Sequence, residues 1–254
     1  METDRNGLIT QIEIEQGLRR LGLSERMCVE VHSSLSSFGH VQGGADAIIN
    51  ALMNVIGSEG AIIMSAYTVS KVLPLTDEDK ANGLRCKVKV YPEGSDLASG
   101  MGIVADTFRR RADVAVGRGT LRVAAWGKDA ALYTTQGYNY LYDTNGYALL
   151  LGVDINRMSS MHLAEKNLPD ALYARFKPPS EIRRLYPEDQ WYVETEFNRE
   201  AGWNKIQEEA MNAGLIQVQT IGCARCLFMR LRDVIDLYRE ALLIDAYLLF
   251  GFEA

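Results

Sequence analysis

Apolar residues in the first quarter of the chain switch between helical and strand periodicities. A helix is predicted over residues 11–21, behind a capping box that opens at Thr10. A short strand at 27–32 follows, and apolar positions over 47–56 recur at helical spacing. The continuous apolar run at 61–64 is typical of a strand that is covered on both faces. Strand, helix and strand in this order predict a βαβ unit with a right-handed crossover.

The rest of the chain continues to alternate between apolar strands and amphipathic helices. It predicts helices at 101–111, 159–168 and 203–213 and from about 231 onward, and strands at 148–153, 191–197 and 215–221. Residues 69–99 are polar, which is typical of a functional or mobile loop, and we treat them as a candidate lid. We expect an α/β fold with three α/β/α layers, a largely parallel central sheet and a small additional α+β part from the C-terminal half. Because no internal repeat or boundary stands out, residues 1–254 are expected to form a single domain.

Composition places the chain among ordinary globular proteins. Its 254 residues are 47% hydrophobic, which is enough for a sizeable core and excludes disordered and collagen-like chains. The 33 acidic residues outnumber the 27 basic ones, so the formal net charge is −6. This balance argues against nucleic acid as the main partner and leaves room for a cationic ligand. The polar N-terminus and the short apolar runs predict neither a signal peptide nor a membrane span, and we expect a soluble cytoplasmic protein.

Two motifs that could hold a ligand have simpler structural interpretations. The chain has four cysteines, and the pair Cys223 and Cys226 has CxxC spacing without a second such pair to complete a zinc site. We therefore expect thiols with a packing role, and no metal. The basic run 109–111 falls at the end of a predicted helix, where the helix dipole favours cations, so we interpret it as a helix terminus and not as a phosphate site.

The candidate chemistry centres on two of the three histidines. His32 closes the first predicted strand and His162 follows the strand at 148–153, and ligand sites of α/β sheets gather at the carboxyl ends of strands. Glu165 is three residues beyond His162 and could orient its imidazole, while the hydroxyl of Ser159 lies one turn upstream. A neutral imidazole beside a hydroxyl donor suits acyl transfer to an amine. By spacing alone, however, His162 and Glu165 more often form a surface pair, and a histidine such as His32 at a strand end is often only bonded to backbone.

Five stretches resemble, in order, the aminoglycoside 3-N-acetyltransferase family, whose members use acetyl-CoA. They lie within residues 31–46, 60–68, 102–127, 149–165 and 221–236. The most specific combines Leu-Leu-Leu-Gly-Val at 149–153 with Ser-Ser-Met-His-Leu-Ala-Glu at 159–165. The resemblance implies a single acetyltransferase domain over 1–254 that acetylates aminoglycoside antibiotics by direct transfer from acetyl-CoA, a route to antibiotic resistance. It implies a small-molecule amine and CoA as partners, without nucleic acid, membrane or metal, and leaves a homodimer open.

The resemblance also implies roles for individual residues. His162 matches the base that deprotonates the acceptor amine, Glu165 is its partner, and Ser159 falls where a threonine hydroxyl often serves the thiol or the acetyl carbonyl. The catalytic set is therefore His162, Glu165, Ser159 and His32. The loop along the pantetheine arm corresponds to His32, Ser33, Ser34 and Leu35, with Ser159 beside the acetyl group. Tyr67 falls in the loop that faces the acceptor.

The chain departs from the family where His-Pro-Thr-His-Ser is common, because residues 118–122 read Arg-Gly-Thr-Leu-Arg. Arginines near the pocket would repel a polycationic acceptor unless they face the CoA phosphates, so Arg118 is assigned to the coenzyme. Met158 also stands where an asparagine is usual. The acidic residues that could bind a cationic acceptor are Asp154, Glu165, Glu194, Glu196 and the run 77–79, the last being a solvated loop by default. Two alternatives stay open: an acyl-CoA N-acyltransferase acting on another amine, and a catalytically silent CoA-binding homologue.

Overall fold

A computed structural model describes residues 8–195 and 199–252 of the chain. The strands are β1 (Leu8–Ile9), β2 (Cys28–Ser33), β3 (His40–Val41), β4 (Ala61–Ser65), β5 (Cys86–Lys89), β6 (Ala115–Val116), β7 (Val123–Gly127), β8 (Tyr147–Leu151), β9 (Trp191–Glu194), β10 (Ile216–Ile221) and β11 (Ala224–Arg230). The helices are α1 (Gln11–Leu21), α2 (Gly44–Ile56), α3 (Asp77–Ala81), α4 (Ile103–Arg109), α5 (Ala130–Gln136), α6 (Tyr138–Asp143), α7 (Asp170–Phe176), α8 (Ser180–Leu185), α9 (Arg199–Asn212) and α10 (Leu231–Leu249). Short 3₁₀ turns lie at Leu35–Phe38, Ile155–Arg157, Ser159–Leu163 and Glu165–Asn167.

The central sheet contains seven of the described strands in the order β10-β11-β8-β2-β4-β7-β6. Only β8, β2 and β4, in the middle, run parallel to one another, and the remaining neighbours are antiparallel. The α/β class is confirmed, but the prediction of a largely parallel sheet is wrong. One reason is local: β10 and β11 are joined across Gly222 and Cys223, and so short a turn can only join antiparallel strands.

Helices cover both faces of the sheet, so the predicted three layers are confirmed. One apolar cluster packs α1, α2 and α4 against side chains such as Ile62 and Met64 of β4. The other packs α5, α6, α9 and α10 against the opposite face, including Ala61 and Ile63 of the same strand. This alternation along β4 explains its continuous apolar sequence, since both faces of the strand are buried.

Several predicted elements form as expected, and one does not. The capping box at Thr10 is present, with Glu13 as the reciprocal partner, and the β2-α2-β4 unit is parallel. The segment predicted as a helix over 159–168 instead consists of the two 3₁₀ turns Ser159–Leu163 and Glu165–Asn167. The predicted strand at 191–197 ends at Glu194, and its last two positions lie outside the described residues.

A small α+β unit flanks the main sheet. Its two antiparallel strands are β5, from the polar segment 69–99, and β9, from the C-terminal half. The predicted additional α+β part is therefore present, although half of its sheet comes from the candidate lid. Within the acidic run, Asp77 and Glu78 are exposed as expected, but Asp79 is fully buried against Lys87 and Tyr186. The solvated-loop interpretation is thus wrong for Asp79.

The structure also locates the basic run 109–111 and the cysteine pair Cys223 and Cys226. Arg109 and Arg110, at the end of α4, both bind Asp106, and Arg111 binds Asp113, which is consistent with a helix terminus held by ion pairs. Cys226 is buried on β11, where burial raises the pKa of its thiol to about 11, whereas Cys223 lies exposed in the preceding turn. Among the helices that the structure describes, none has both the length and the apolar character needed to cross a membrane.

Candidate active site

The carboxyl ends of the three parallel strands meet at one edge of the sheet. His32 and Ser33 end β2, Ser65 ends β4, and the chain leaving β8 turns back through Ser159–Leu163 over the same edge. Side chains from all three strands can therefore converge, as expected for a ligand site in an α/β sheet. Contacts between these segments define the candidate site.

His162 and Glu165 form a hydrogen-bonded pair. Nδ1 of His162 lies 2.8 Å from Oε2 of Glu165. The side chain of Glu165 is only 7% exposed, whereas that of His162 is 48% exposed. Burial opposes ionisation of Glu165, but its hydrogen bond and charge interaction with His162, together with those of Arg199, lower its pKa. An ionised carboxylate is a hydrogen-bond acceptor, so the tautomer of His162 that donates from Nδ1 fits this contact and has its free electron pair on Nε2.

The 3₁₀ geometry explains why this pair meets. Three residues complete one 3₁₀ turn, so side chains three apart lie one above the other. The ring of His162 also packs edge-on against Trp203 of α9, with the ring centroids 5.1 Å apart. The predicted pairing of His162 with Glu165 is observed, in a different local structure from the predicted helix.

Arg199, at the start of α9, binds the carboxylate of this pair. Sequence reasoning did not identify it. Its Nε donates to Oε1 of Glu165 at 2.9 Å, and its Nη1 donates to Oε1 of Glu194 at 2.7 Å. The guanidinium also lies over the ring of Phe176, 4.3 Å from its centroid. Burial disfavours the charged guanidinium, but the charges of Glu165 and Glu194 raise its pKa. Nothing in the local sequence links Arg199 to a glutamate so far upstream.

His32 has a more enclosed position than His162. Its Nε2 lies 2.7 Å from Oε1 of the fully buried Glu30, and the backbone N–H of Ser159 points to the same nitrogen at 3.2 Å. The N–H of Ser160 donates to Oε1 of Glu30 at 3.1 Å. His32 therefore touches the backbone of the turn that carries His162. Glu30 was overlooked, although a carboxylate within the apolar strand Cys28–Ser33 is an anomaly visible in the sequence.

A chain of hydroxyl groups leads to Ser159. The hydroxyl of Tyr138 lies 2.7 Å from Oγ of Ser65, and that oxygen lies 2.8 Å from Oγ of Ser159. Burial raises the pKa of Tyr67, whose phenol also bonds to Ser159 and Ser65. Burial likewise keeps the phenol of Tyr138 protonated, with its pKa well above the usual range. Ser159 and Tyr67, both predicted from the sequence, thus come together, while Ser65 and Tyr138 were not foreseen.

A groove of about 700 Å³ lies beside this edge. Its described lining includes Ser33, Ser34 and Leu35 of the predicted coenzyme loop, together with Lys71 and the N-terminal Gly44 of α2, but neither His32 nor Ser159, which the same prediction includes. Ser33 directly follows His32, so the groove reaches the segment that contacts Ser159.

Arg118 does not lie at this groove. It is exposed and does not occur among the described residues that line the groove. Its neighbour Arg122 instead donates Nε to the carbonyl of Ala66 at 3.0 Å. The groove therefore lends no support to the assignment of Arg118 to the coenzyme.

The carboxylates proposed to bind a cationic acceptor are mostly bound by cations of this chain. Asp154 accepts from Arg225 at 2.9 Å and from Gln207 at 3.0 Å. Arg199 holds both Glu165 and Glu194. Glu196 lies outside the described residues. Glu165 and Glu194 thus share one arginine, while Asp154 and Asp79 pair with other cations, so the described members of the predicted set do not form one acidic wall.

Comparisons with known proteins agree on one family. The family model described as aminoglycoside 3-N-acetyltransferase matches residues 31–242. The SPbeta prophage-derived aminoglycoside N(3')-acetyltransferase-like protein YokD of Bacillus subtilis (strain 168) is 30% identical, over 89% of this chain and 90% of the relative. In the crystal structure of YokD, the match covers 93% of this chain and 94% of that one at 26% identity, with a TM-score of 0.70.

Two more distant solved structures share the fold and contain ligands. AAC-IIIb in binary complex with CoASH is 18% identical, covering 92% of this chain and 96% of that one, with a TM-score of 0.66. A mutant of aminoglycoside acetyltransferase AAC(3)-IVa in complex with a gentamicin is 20% identical, covering 99% and 96%, with a TM-score of 0.72.

Proposed function

This chain belongs to the aminoglycoside 3-N-acetyltransferase family, and we propose that it transfers an acetyl group from acetyl-CoA to an amine of an aminoglycoside, with His162 as the general base. The observation that carries this proposal is the half-exposed imidazole of His162, whose Nδ1 lies 2.8 Å from a buried carboxylate. The complexes of structural relatives with CoASH and with a gentamicin support the choice of donor and acceptor.

In the proposed reaction, His162 removes a proton from the acceptor. An amine reaches the site as an ammonium ion and needs a free electron pair before it can attack. Nε2 of His162 takes the proton, and Glu165 stabilises the resulting imidazolium through Nδ1. The amine nitrogen then bonds to the acetyl carbon and loses a second proton, the bond from carbon to sulfur breaks, and the departing thiolate receives that second proton.

Ser159 supplies a hydrogen bond to the oxygen that gains charge. Tyr138 and Ser65 can each donate along the chain toward Ser159, which leaves the proton of the Ser159 hydroxyl to point outward. A donor aimed at the thioester oxygen stabilises the charge that develops there. The residues that would hold the pantetheine arm are Ser33, Ser34 and Leu35 along the groove. The ammonium group of Lys71, in the same lining, suits an anionic group of CoA.

The test measures thiol release from acetyl-CoA with gentamicin, apramycin and simple amines as acceptors, together with CoA binding by calorimetry. His162→Ala should lower kcat by about 10²–10⁴, which is typical for the loss of a general base. CoA affinity should stay within about twofold, since the imidazole contacts the acceptor. A variant that keeps most of its turnover would overturn the role of His162. Turnover restricted to other amines, or CoA binding without turnover, would overturn the aminoglycoside assignment.

A further inference from the structure

We propose that Arg199 is a positioning residue that holds Glu165 in place and whose positive charge partly offsets the effect of the Glu165 carboxylate on His162. Glu194, which binds the same guanidinium, sets the size of that offset. This inference rests on the proposed role of His162 as the base. It assigns Arg199 and Glu194 a measurable effect on the protonation of the imidazole.

The first step of the argument is geometric. Glu165 uses its two carboxylate oxygens for different partners, with Oε2 facing His162 and Oε1 facing Arg199. Arg199 is itself fixed on three sides, by Glu165, by Glu194 and by the ring of Phe176. Rotation of the carboxylate would break one of two charged hydrogen bonds, so the oxygen that orients the imidazole is held in one place.

The second step is electrostatic. A buried carboxylate beside an imidazole favours the protonated ring, and a base that is already protonated cannot accept a proton. Arg199 places a positive charge on the same carboxylate and so opposes protonation of His162. Among the described residues, the side chains around this cluster include Glu165 from the 3₁₀ turn, Arg199 and Trp203 from α9, Tyr238 from α10, Tyr192 and Glu194 from β9, and Cys86 from β5, which interacts with Glu194.

The third step predicts that two substitutions shift the protonation of His162 in opposite directions. Arg199→Met removes a cation, so the imidazolium becomes more stable and the midpoint of the measured His162 titration should move to higher pH. Glu194→Gln removes the anion that offsets Arg199, so the same midpoint should move to lower pH. Arg199→Lys keeps the positive charge and should shift the titration midpoint of His162 least. A purely structural role would not produce shifts of opposite sign.

The experiment is an NMR titration of the imidazole Cε1–H signals in the full chain without substrate. Only three histidines are present, and His162→Asn assigns the relevant signal. In parallel, the acidic limb of kcat/KM should move to higher pH in Arg199→Met and to lower pH in Glu194→Gln. Arg183→Met, which changes an exposed arginine of α8, is the matched control and should leave both measurements unchanged.

Shifts of the same sign in Arg199→Met and Glu194→Gln, or no shift in either, would overturn the inference. If Arg199→Met fails to fold, the downward shift in Glu194→Gln and the small shift in Arg199→Lys decide the question. If the wild-type chain acetylates no aminoglycoside, the proposed function fails, while the titration still tests the electrostatic coupling on its own.

Discussion

Replacing Asp79 by Asn should weaken the attachment of β5 to β9 more than any exposed substitution nearby. The carboxylate is fully buried and accepts hydrogen bonds from Lys87, from Tyr186 and from the backbone of Thr76 at 2.7 Å. Lys87 is only 11% exposed, so little water can replace its lost partner. Asn keeps the size of the side chain and one carbonyl oxygen for the Thr76 N–H and Lys87, but its NH2 group cannot accept from the Tyr186 hydroxyl, so the substitution removes the charge and one acceptor.

The magnitude follows from the charge left behind. Removing one partner of a buried ion pair costs about 3–5 kcal/mol, because the other charge stays buried without compensation. The slight exposure of Lys87 places the expected loss near the lower end, at about 3 kcal/mol. For a chain of this size, a loss of 1 kcal/mol lowers Tm by about 2–4 °C, so Tm should fall by about 6–12 °C.

Chemical unfolding followed by tryptophan fluorescence checks this value, because Trp191 packs edge-on against Tyr186, with the ring centroids 5.7 Å apart. Asp77→Asn is the control, since Asp77 is exposed, and it should change stability by less than about 0.5 kcal/mol. Adding Lys87→Met to Asp79→Asn should restore part of the loss. A cost of Asp79→Asn no larger than that of the control would refute the reasoning.

The ion pair of Asp79 and Lys87 also predicts that the stability of the protein depends on pH. Burial works against ionisation of Asp79, but hydrogen bonds from Lys87 and Tyr186 hold its pKa well below the usual range. A lowered folded-state pKa adds stability that is fully present above the unfolded value of about 3.9 and is lost as pH falls toward the folded value. Asp79→Asn should therefore lose least, relative to wild type, in the most acidic buffers.

Three further substitutions test the site and the turn beside it. Tyr138→Phe removes the hydroxyl 2.7 Å from Ser65, and kcat should fall by about 2–10-fold in steady-state assays, the equivalent of one lost hydrogen bond. Glu30→Gln changes the buried carboxyl group that faces His32, and chemical unfolding should show a loss of about 1–3 kcal/mol. Gly152→Ala adds a Cβ only 2.4 Å from Cβ of Ser37 at a φ of +71°, and thermal unfolding should show a loss of about 2 kcal/mol.

The elements that the sequence predicts well are those whose signals are local. The unit of β2, α2 and β4 carries its periodicity within one short stretch, and the capping box at Thr10 marks the start of α1 within four residues. Strand direction is not local, because it depends on which segments pair. The antiparallel placement of β7 against β4 joins residues about 60 apart in the chain, and no periodicity encodes that choice.

The same distinction applies to the site. His162 and Glu165 are three residues apart, so spacing and motif identify them even though the local helix type is wrong. Arg199 joins Glu165 across 34 residues, and Ser65 joins Ser159 across 94. Such contacts exist only after the sheet edge and α9 are in place. Glu30 is the exception, because a charge inside an apolar strand could have been noticed from the sequence.

The contact of Arg199 with Glu165 divides the proposed active centre, in which His162 is the base, between two lengths of chain. A fragment ending after Glu165–Asn167 would contain the base and its carboxylate, but neither the guanidinium of α9 nor α10, which packs on the turn Ser159–Leu163. The remaining fragment would contain those supports and no base. The chain therefore suits division into two polypeptides whose association would be detected as restored turnover.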